Sequence, residues 1–273
     1  MWSRLLQRLR QHRENAAVAR RPISDLLWRR TLKRFPFLPR AGTPEEAALR
    51  RLTSLFLDSK EFSGAHGLVI TDDMAVAIAA QACLPVLSLE LSVYEGFVGI
   101  VVHPGWARVR RSVADDDGVV HEFEETLSGE AVHGGPVMLS WRDVRSAGAK
   151  AAQAYNVVIH EFSHVLDMAD GLADGVPLLP TDIGRREWQR TFEAAYVAFC
   201  RAVDGGQATV IDPYGAESPS EFFAVASEAF FVAPEGLQAE HPAVYGLLRR
   251  YFRQDPLTRR PTEPPGTTEP AET

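Results

Sequence analysis

Residues 155–171 read YNVVIHEFSHVLDMADG, and no other segment of the chain says as much about its structure. The pattern becomes helical from Ala147, no Gly or Pro interrupts residues 149–170, and Gly171 stands where such a helix ends. The sequence therefore predicts one long helix that begins near Ala147 and carries HEFSH at 160–164.

Two histidines of this helix are spaced to share one metal ion. His160 and His164 are four residues apart, a rotation of about 400°, so their rings project from one face about one turn apart. Both rings can then reach a zinc ion, whose bonds to His nitrogen measure about 2.0–2.1 Å. Glu161 lies about 100° further round, where it can reach a water molecule but cannot join the pair, as a general base requires.

A catalytic zinc needs a third protein ligand, and spacing alone leaves several carboxylates open. Glu217, Glu221 and Glu228 follow in the chain. Ser218-Pro-Ser-Glu221 is also a capping box, so spacing does not rank Glu221 above Glu228. Asp167, three residues after His164, either orients a ligating imidazole or faces solvent. A purely structural zinc site is disfavoured because it needs no free carboxylate such as Glu161.

Longer motifs indicate a family. HEFSHVLD, with Y-x6-E-F-F some fifty residues later, resembles the Mlc titration factor family of zinc peptidases. The resemblance covers about residues 20–255 and includes TDDMAVAIAAQACL at 71–84 and GGPVMLSW at 134–141. The metal motifs alone also resemble the catalytic domain of anthrax lethal factor. The resemblance implies that Glu221 is the third zinc ligand and that Tyr214 faces the metal, where it donates a hydrogen bond to the oxyanion.

The same resemblance implies a function. We expect a zinc metallopeptidase, an aminopeptidase among its possible forms, that cleaves a peptide or protein substrate with Glu161 as the proton carrier. A regulatory role in sugar uptake, through the transcriptional repressor Mlc, is also implied. The alternative is a regulatory protein that binds and sequesters Mlc, with weak or conditional peptidase activity. The PVMLSW strand is the expected sheet edge for an extended substrate.

The fold expected from these patterns is α+β: a zincin-like metallopeptidase with helices packed on a small mixed sheet and HExxH on a central helix. We divide the chain into a basic N-terminal segment 1–40, a single domain 41–256 and a disordered tail 257–273. Residues 20–43 are expected to be irregular because they contain three prolines. Further helices are predicted to begin near Thr43 and Thr71 and to cover about 188–199, 221–231 and 244–252. Strands are predicted at 86–91, 97–103, 119–127 and PVMLSW, with a turn at 115–118.

Composition limits the class of partner and the setting. The net charge is −7, with +9 in residues 1–60 (14 Lys/Arg, 5 Asp/Glu) and −16 in the remainder (15 against 31). The acidic body argues against direct nucleic-acid binding, while the basic start predicts a short amphipathic helix docked on the body. No membrane span or secretory signal is recognisable, and two cysteines are too few for a disulfide framework, so we expect a cytoplasmic protein.

Overall fold

The computed structural model describes residues 2–114, 120–127, 129–132 and 134–259. Its α-helices are α1 (Trp2–Arg20), α2 (Asp25–Arg34), α3 (Pro44–Ser59), α4 (Asp72–Cys83), α5 (Trp141–Ser146), α6 (Val157–Asp167), α7 (Arg185–Asp204), α8 (Pro219–Val232), α9 (Pro234–Glu240) and α10 (Pro242–Phe252). Its strands are β1 (Glu61–Gly64), β2 (Gly99–His103), β3 (Ala107–Ala114), β4 (Val120–Leu127), β5 (Gly129–Ala131) and β6 (Val137–Ser140). Helices combined with a small mixed sheet confirm the predicted α+β class.

The N-terminal part of the chain is more helical than predicted. The amphipathic helix α1 extends to Arg20 and packs on α3, where Arg51 Nη2 lies 3.0 Å from Glu14 Oε2. The prediction of an irregular connection at 20–43 was wrong, because α2 forms inside it. Ser24 caps α2 by accepting a hydrogen bond from Leu27 N at 3.3 Å, and Trp28 is buried in the core. The prolines lie outside the helix, so they delimit it instead of preventing it.

The predicted N-caps of α3 and α4 are confirmed. Thr43 Oγ1 accepts from Glu46 N at 3.2 Å, and Thr71 Oγ1 accepts from Met74 N at 3.3 Å. Each cap satisfies one of the amide groups that a helix leaves unpaired at its start. The two helices pack against each other, and α4 in turn contacts α6.

The four-stranded sheet has the order β1-β2-β6-β5. The pairs β1–β2 and β2–β6 are parallel, whereas β5–β6 is antiparallel with Gly129 opposite Leu139. The predicted strands at 97–103 and PVMLSW correspond to β2 and β6, but β1 and β5 were missed. The prediction that PVMLSW is an edge strand was wrong, because β6 has a neighbour on each side. Among the described strands, β5 forms the edge beyond β6.

The predicted strand at 86–91 does not form. Local turns satisfy its backbone, with Leu87 N bonded to Leu84 O at 3.3 Å and Leu89 N to Val86 O at 3.0 Å. A 3-10 helix, Leu91–Tyr94, follows. The strand predicted at 119–127 is confirmed as β4, which pairs antiparallel with β3, a strand that was not predicted. The predicted turn at 115–118 lies outside the described residues.

The predicted long helix from Ala147 is divided into separate pieces. A 3-10 turn, Ala151–Gln153, ends at Ala154 with a left-handed φ of 55°, and α6 starts afresh at Val157. Asn156 causes this restart, because its side chain accepts from Ile159 N at 3.0 Å as an N-cap. The predicted end is confirmed, since Gly171 has φ 94°.

The C-terminal helices follow the predictions closely. α7, α8 and α10 cover the predicted segments, and α9 is an additional short helix between them. The tail was predicted to begin at 257, but Pro256–Arg259 forms a 3-10 helix in which Arg259 is buried and donates to Glu45 at 3.1 Å. The rest of the predicted tail, 260–273, lies outside the described residues. No helix in the described part of the chain is long and apolar enough to cross a membrane.

Candidate metal centre

The two predicted histidine ligands meet on one face of α6. His160 Nε2 and His164 Nε2 lie 3.2 Å apart, as their i, i+4 spacing requires. The helix is fixed at its start by Asn156, whose Nδ2 donates to Gln81 Oε1 on α4 at 2.9 Å. The position of the histidine pair is thus set by a buried contact between α6 and α4.

Glu221 reaches the same point from α8, which packs against α6. Its Oε2 lies 3.1 Å from His160 Nε2 and 3.3 Å from His164 Nε2. Ser218 Oγ caps α8 by accepting a hydrogen bond from Glu221 N at 3.1 Å. Only the backbone N–H of Glu221 takes part in this cap, and its carboxylate faces the histidines. Among the residues described, these three side chains form the one group of possible metal donors within 4.8 Å of one another.

The three donor atoms fit a tetrahedral zinc site. Bonds of about 2.0–2.1 Å at tetrahedral angles place neighbouring ligand atoms about 3.3 Å apart, close to the observed 3.1, 3.2 and 3.3 Å. Glu221 Oε2 is also buried without a hydrogen-bond partner in the described structure, a costly state that a cation would relieve. The three side chains remain 14, 13 and 20% exposed, so a small molecule can still reach the centre.

Glu228 supports His160 from outside this group. Its Oε1 lies 2.8 Å from His160 Nδ1, and its other oxygen accepts from Asn156 N. Glu228 is buried two turns beyond Glu221, and its contact is with the far nitrogen of the ring. The geometry therefore gives the two glutamates different positions, which their spacing in the sequence left open.

Asp167 supports His164 through an intermediary that the sequence did not reveal. Ser220 Oγ donates to Asp167 Oδ2 at 2.7 Å and lies 3.2 Å from His164 Nδ1. Gly175 N also donates to Asp167 Oδ2, at 3.0 Å. Asp167 is therefore buried and does not face solvent. No sequence signal points to Ser220, because its role depends on how α8 packs on α6.

These outer contacts fix the tautomers of both histidines. A carboxylate beside His160 Nδ1, and a serine already donating to Asp167 beside His164 Nδ1, each act as acceptors for an Nδ1–H. The proton of each neutral ring is then on Nδ1, and the lone pair on Nε2 points at Glu221. Such orientation by a second hydrogen bond is typical of metal-binding histidines.

Glu161 lies beside this centre and is closely packed. Its side chain is 4% exposed and abuts Gly129 of β5, where an added Cβ would lie 2.7 Å from Glu161 Cγ. Burial raises the pKa of the Glu161 carboxyl to about 7, although His160 and His164 oppose that shift. Burial also acts to raise the pKa of Glu221. Hydrogen bonds from Nε2–H groups of the two histidines outweigh burial and lower that pKa to about 2, but only without a metal, because the metal-binding tautomers carry no proton on Nε2.

Tyr214 lies next to His160. It belongs to the 3-10 helix Pro213–Ala216, is 41% exposed, and its ring centroid is 6.1 Å from that of His160. The turn packs tightly on α8, because a Cβ on Gly215 would lie 2.6 Å from Val225 Cγ2. All five predicted site residues are thus brought together, while Ser220 and Gly129 are additions that the sequence did not indicate.

The chain is similar to a family of metallopeptidases and to several bacterial proteins. The model of the family described as glucose-regulated metallo-peptidase M90 matches residues 7–253. An uncharacterized protein of Synechocystis is 36% identical over 225 residues, 82% of each chain. Mlc titration factor A of Pectobacterium atrosepticum is 37% identical over 228 residues, 82% of this chain and 84% of that protein. Mlc titration factor A of Klebsiella pneumoniae is 35% identical over 243 residues, 87% of this chain and 89% of that protein.

Proposed function

Because the chain belongs to the M90 family of glucose-regulated metallopeptidases, we propose that it is a zinc-dependent peptidase acting on a peptide or protein substrate. One observation carries the proposal: two imidazole nitrogens and one carboxylate oxygen converge within 3.3 Å of one another, with a second carboxyl group, that of Glu161, beside them. In this proposal the domain is zincin-like, with its HExxH histidines on α6.

His160, His164 and Glu221 would hold the metal. Two neutral imidazoles and one carboxylate are a typical donor set for catalytic zinc, which keeps a further position open for water or substrate. When bound there, zinc would lower the pKa of a water molecule and polarise the scissile carbonyl. Glu228 and Ser220 keep the two rings in the tautomer that this donor set needs.

Glu161 would carry the proton. Its position on α6, about 100° round from His160, makes it a neighbour of the centre without making it one of the three converging donors. In the proposed reaction its carboxylate takes a proton from the attacking water and delivers it to the leaving nitrogen of the cleaved peptide. Packing against Gly129 holds this side chain in place during both transfers.

Tyr214 would stabilise the negative charge that develops on the carbonyl oxygen of the substrate. Its ring lies next to that of His160 on an exposed turn, so its hydroxyl can act on a substrate without first being uncovered. A hydrogen bond aimed at developing charge lowers the barrier more than one aimed at the ground state.

A regulatory role completes the proposal. The relatives named Mlc titration factor A support an association with a repressor of the Mlc type, and through it an influence on sugar uptake. In the second version of the function, binding and sequestration of the repressor is the main activity and peptidase activity is weak or conditional. We propose a cytoplasmic setting for both, supported by the two free cysteines.

The metal and proton roles are separated by two isosteric substitutions. We expect Glu161→Gln to abolish peptidase activity while zinc content, measured by plasma emission, stays near one per chain. We expect Glu221→Gln to lower both, because a neutral oxygen replaces an anionic ligand. Full zinc and activity in Glu221→Gln, with loss of both in Glu228→Gln, would show that the third ligand has been assigned wrongly.

The same variants discriminate the two versions of the function. Glu161→Gln should still bind a purified Mlc-type repressor if sequestration is the main activity, and wild type should then leave the repressor intact. Cleavage of the repressor by wild type alone supports the peptidase version. Peptides with a free or an acetylated amino terminus test whether the enzyme is an aminopeptidase, because acetylation removes the charged group that such an enzyme recognises.

A further inference from the structure

A cavity of about 290 Å³ lies beside the C-terminal half of α6. This size is at the lower end of the range for ligand pockets, about 300–1,000 Å³. Its apolar wall includes Val93, Phe97, Val132, Val165, Met168 and Leu178. None of the described residues that line it is charged, so the cavity suits one apolar side chain.

The cavity continues the face of α6 that carries Glu161. Val165 and Met168 follow Glu161 by four and seven residues, and Met168 stands in the 3-10 turn just past the end of α6. At 100° per residue the three side chains lie within about 60° of one another around the helix axis. Val165 lies about 6 Å further along the helix axis, a distance of about two residues in an extended chain. A substrate with its scissile bond beside Glu161 therefore has a nearby side chain within reach of the cavity.

Strand β5 extends from Glu161 to the cavity. Gly129, at its start, abuts Glu161, and Val132, just after its end, lines the cavity. Within the described part of the sheet, β5 pairs with β6 on one side only. An extended peptide added to the other side of β5 would run from the proton carrier to the cavity.

The wall of the cavity is held in place by packing. Phe97 is 5% exposed, and its ring centroid lies 5.6 Å from that of Phe162 on α6 and 6.2 Å from that of Tyr94. Lys60 Nζ lies 4.0 Å from the centroid of the same ring. Contacts on several sides fix this ring, so the cavity exists before any ligand arrives.

We propose that this cavity receives one apolar side chain of an extended peptide substrate, next to the bond that is cleaved. The inference rests on the proposed function, which it deepens by naming the substrate class. Leu, Met and Phe side chains bury apolar surface there, whereas a charged side chain would lose its hydration without gaining a partner. The cavity thus determines which substrate side chain is preferred next to the cleaved bond.

Cleavage-site profiling of a mixed peptide library by mass spectrometry gives the first test. We expect one position near the scissile bond to be enriched in Leu, Met and Phe over Ala and over charged residues by about 10-fold or more in kcat/KM. Equal cleavage with Ala, Leu and Lys at every position would overturn the proposal.

Matched surface substitutions test whether the cavity is the origin of this preference. Leu178 lines the cavity and Leu172 does not, yet both are leucines of the same loop and are 57 and 55% exposed. We expect Leu178→Lys to reduce the preference for Leu over Ala by about 10-fold, mainly through KM, with unchanged zinc content. Leu172→Lys should behave as wild type, and equal effects of the two variants would overturn the assignment.

A binding assay separates failure of the cavity from failure of the peptidase. The probes are a fluorescein-labelled Gly/Ser octapeptide with Leu-Leu at its centre and its Ala-Ala counterpart, titrated against zinc-loaded Glu161→Gln protein. Tighter binding of the Leu-Leu probe that is lost in Glu161→Gln with Leu178→Lys supports the cavity, even if wild type cleaves nothing. Cleavage by wild type with equal binding of both probes overturns the cavity and leaves the peptidase standing. If wild type cleaves nothing and the protein binds both probes equally, the cavity proposal and the peptidase proposal are both overturned.

Discussion

Replacing Gly129 by alanine should disable Glu161 without touching any of the three proposed metal ligands. An added Cβ would lie 2.7 Å from Glu161 Cγ and 2.8 Å from Cδ, and nearer still to Oε1. Ordinary van der Waals contact begins at 3.4 Å, so Cγ alone must retreat by 0.7 Å and the carboxylate by about 1 Å. A misplacement of about 1 Å can cost 10²-fold in rate, and we expect a loss of that order in kcat for Gly129→Ala.

The assay compares kcat on one peptide, zinc content and Tm in wild type, Gly129→Ala, Glu161→Gln and the double variant. If Gly129→Ala acts only by displacing the carboxylate, it should add little to the loss already caused by Glu161→Gln. Gly246→Ala on α10 is the matched control, because an added Cβ there meets nothing within 4 Å. Full activity of Gly129→Ala would show that Gly129 does not position Glu161, as would a loss of zinc or a full additional loss in the double variant.

Three further outcomes are expected. Tyr214→Phe should keep zinc and Tm but lower kcat by about 10²-fold if the hydroxyl stabilises the oxyanion; an unchanged rate would leave the ring a packing role only. Ser220→Ala should weaken zinc binding by about 10- to 100-fold in a chelator competition, because His164 Nδ1 loses its acceptor, whereas Ser227→Ala, whose hydroxyl bonds Phe223 O within the same helix, should not. Chelation of the metal should lower Tm by several degrees and leave the far-UV circular dichroism unchanged, since buried contacts such as Asn156–Gln81 hold α6 independently of the ion; unfolding at 25 °C would contradict this.

The parts of the centre that could be predicted are local in sequence. His160, Glu161 and His164 follow from the period of a helix, and that period survives in α6 although the predicted helix was too long. Glu221 is 57 residues beyond His164 and equivalent to Glu228 by spacing, so only the family resemblance distinguished them. Ser220 and Gly129 could not be found this way, because each acts through packing between elements distant in sequence.

Errors in predicting the fold also arise where local sequence patterns do not determine the structure. Alternating apolar residues at 86–91 are typical of a strand, but Val86 is fully buried in a run of turns, and alternation cannot distinguish the two. Prolines near α2 were interpreted as breakers, whereas Pro22 and Pro36 flank the helix that Trp28 anchors. Asn156 is a preferred N-cap residue, and its cap on Ile159 N is a local signal that the prediction of one long helix overlooked. Its contacts with Gln81 on α4 and Glu228 on α8 are tertiary and have no such signal.

The separation of the three proposed metal donors along the chain bears on biosynthesis. The histidines leave the ribosome with α6, but Glu221 follows 57 residues later, and its own helix must close on α6 before the three donors can meet. Glu228, which orients His160, is made later still. A growing chain that ends before α8 therefore holds only two of the three proposed donors, so the proposed peptidase activity would arise only on a nearly finished molecule. Nascent chains and truncated products of this protein would then be unable to cleave their neighbours.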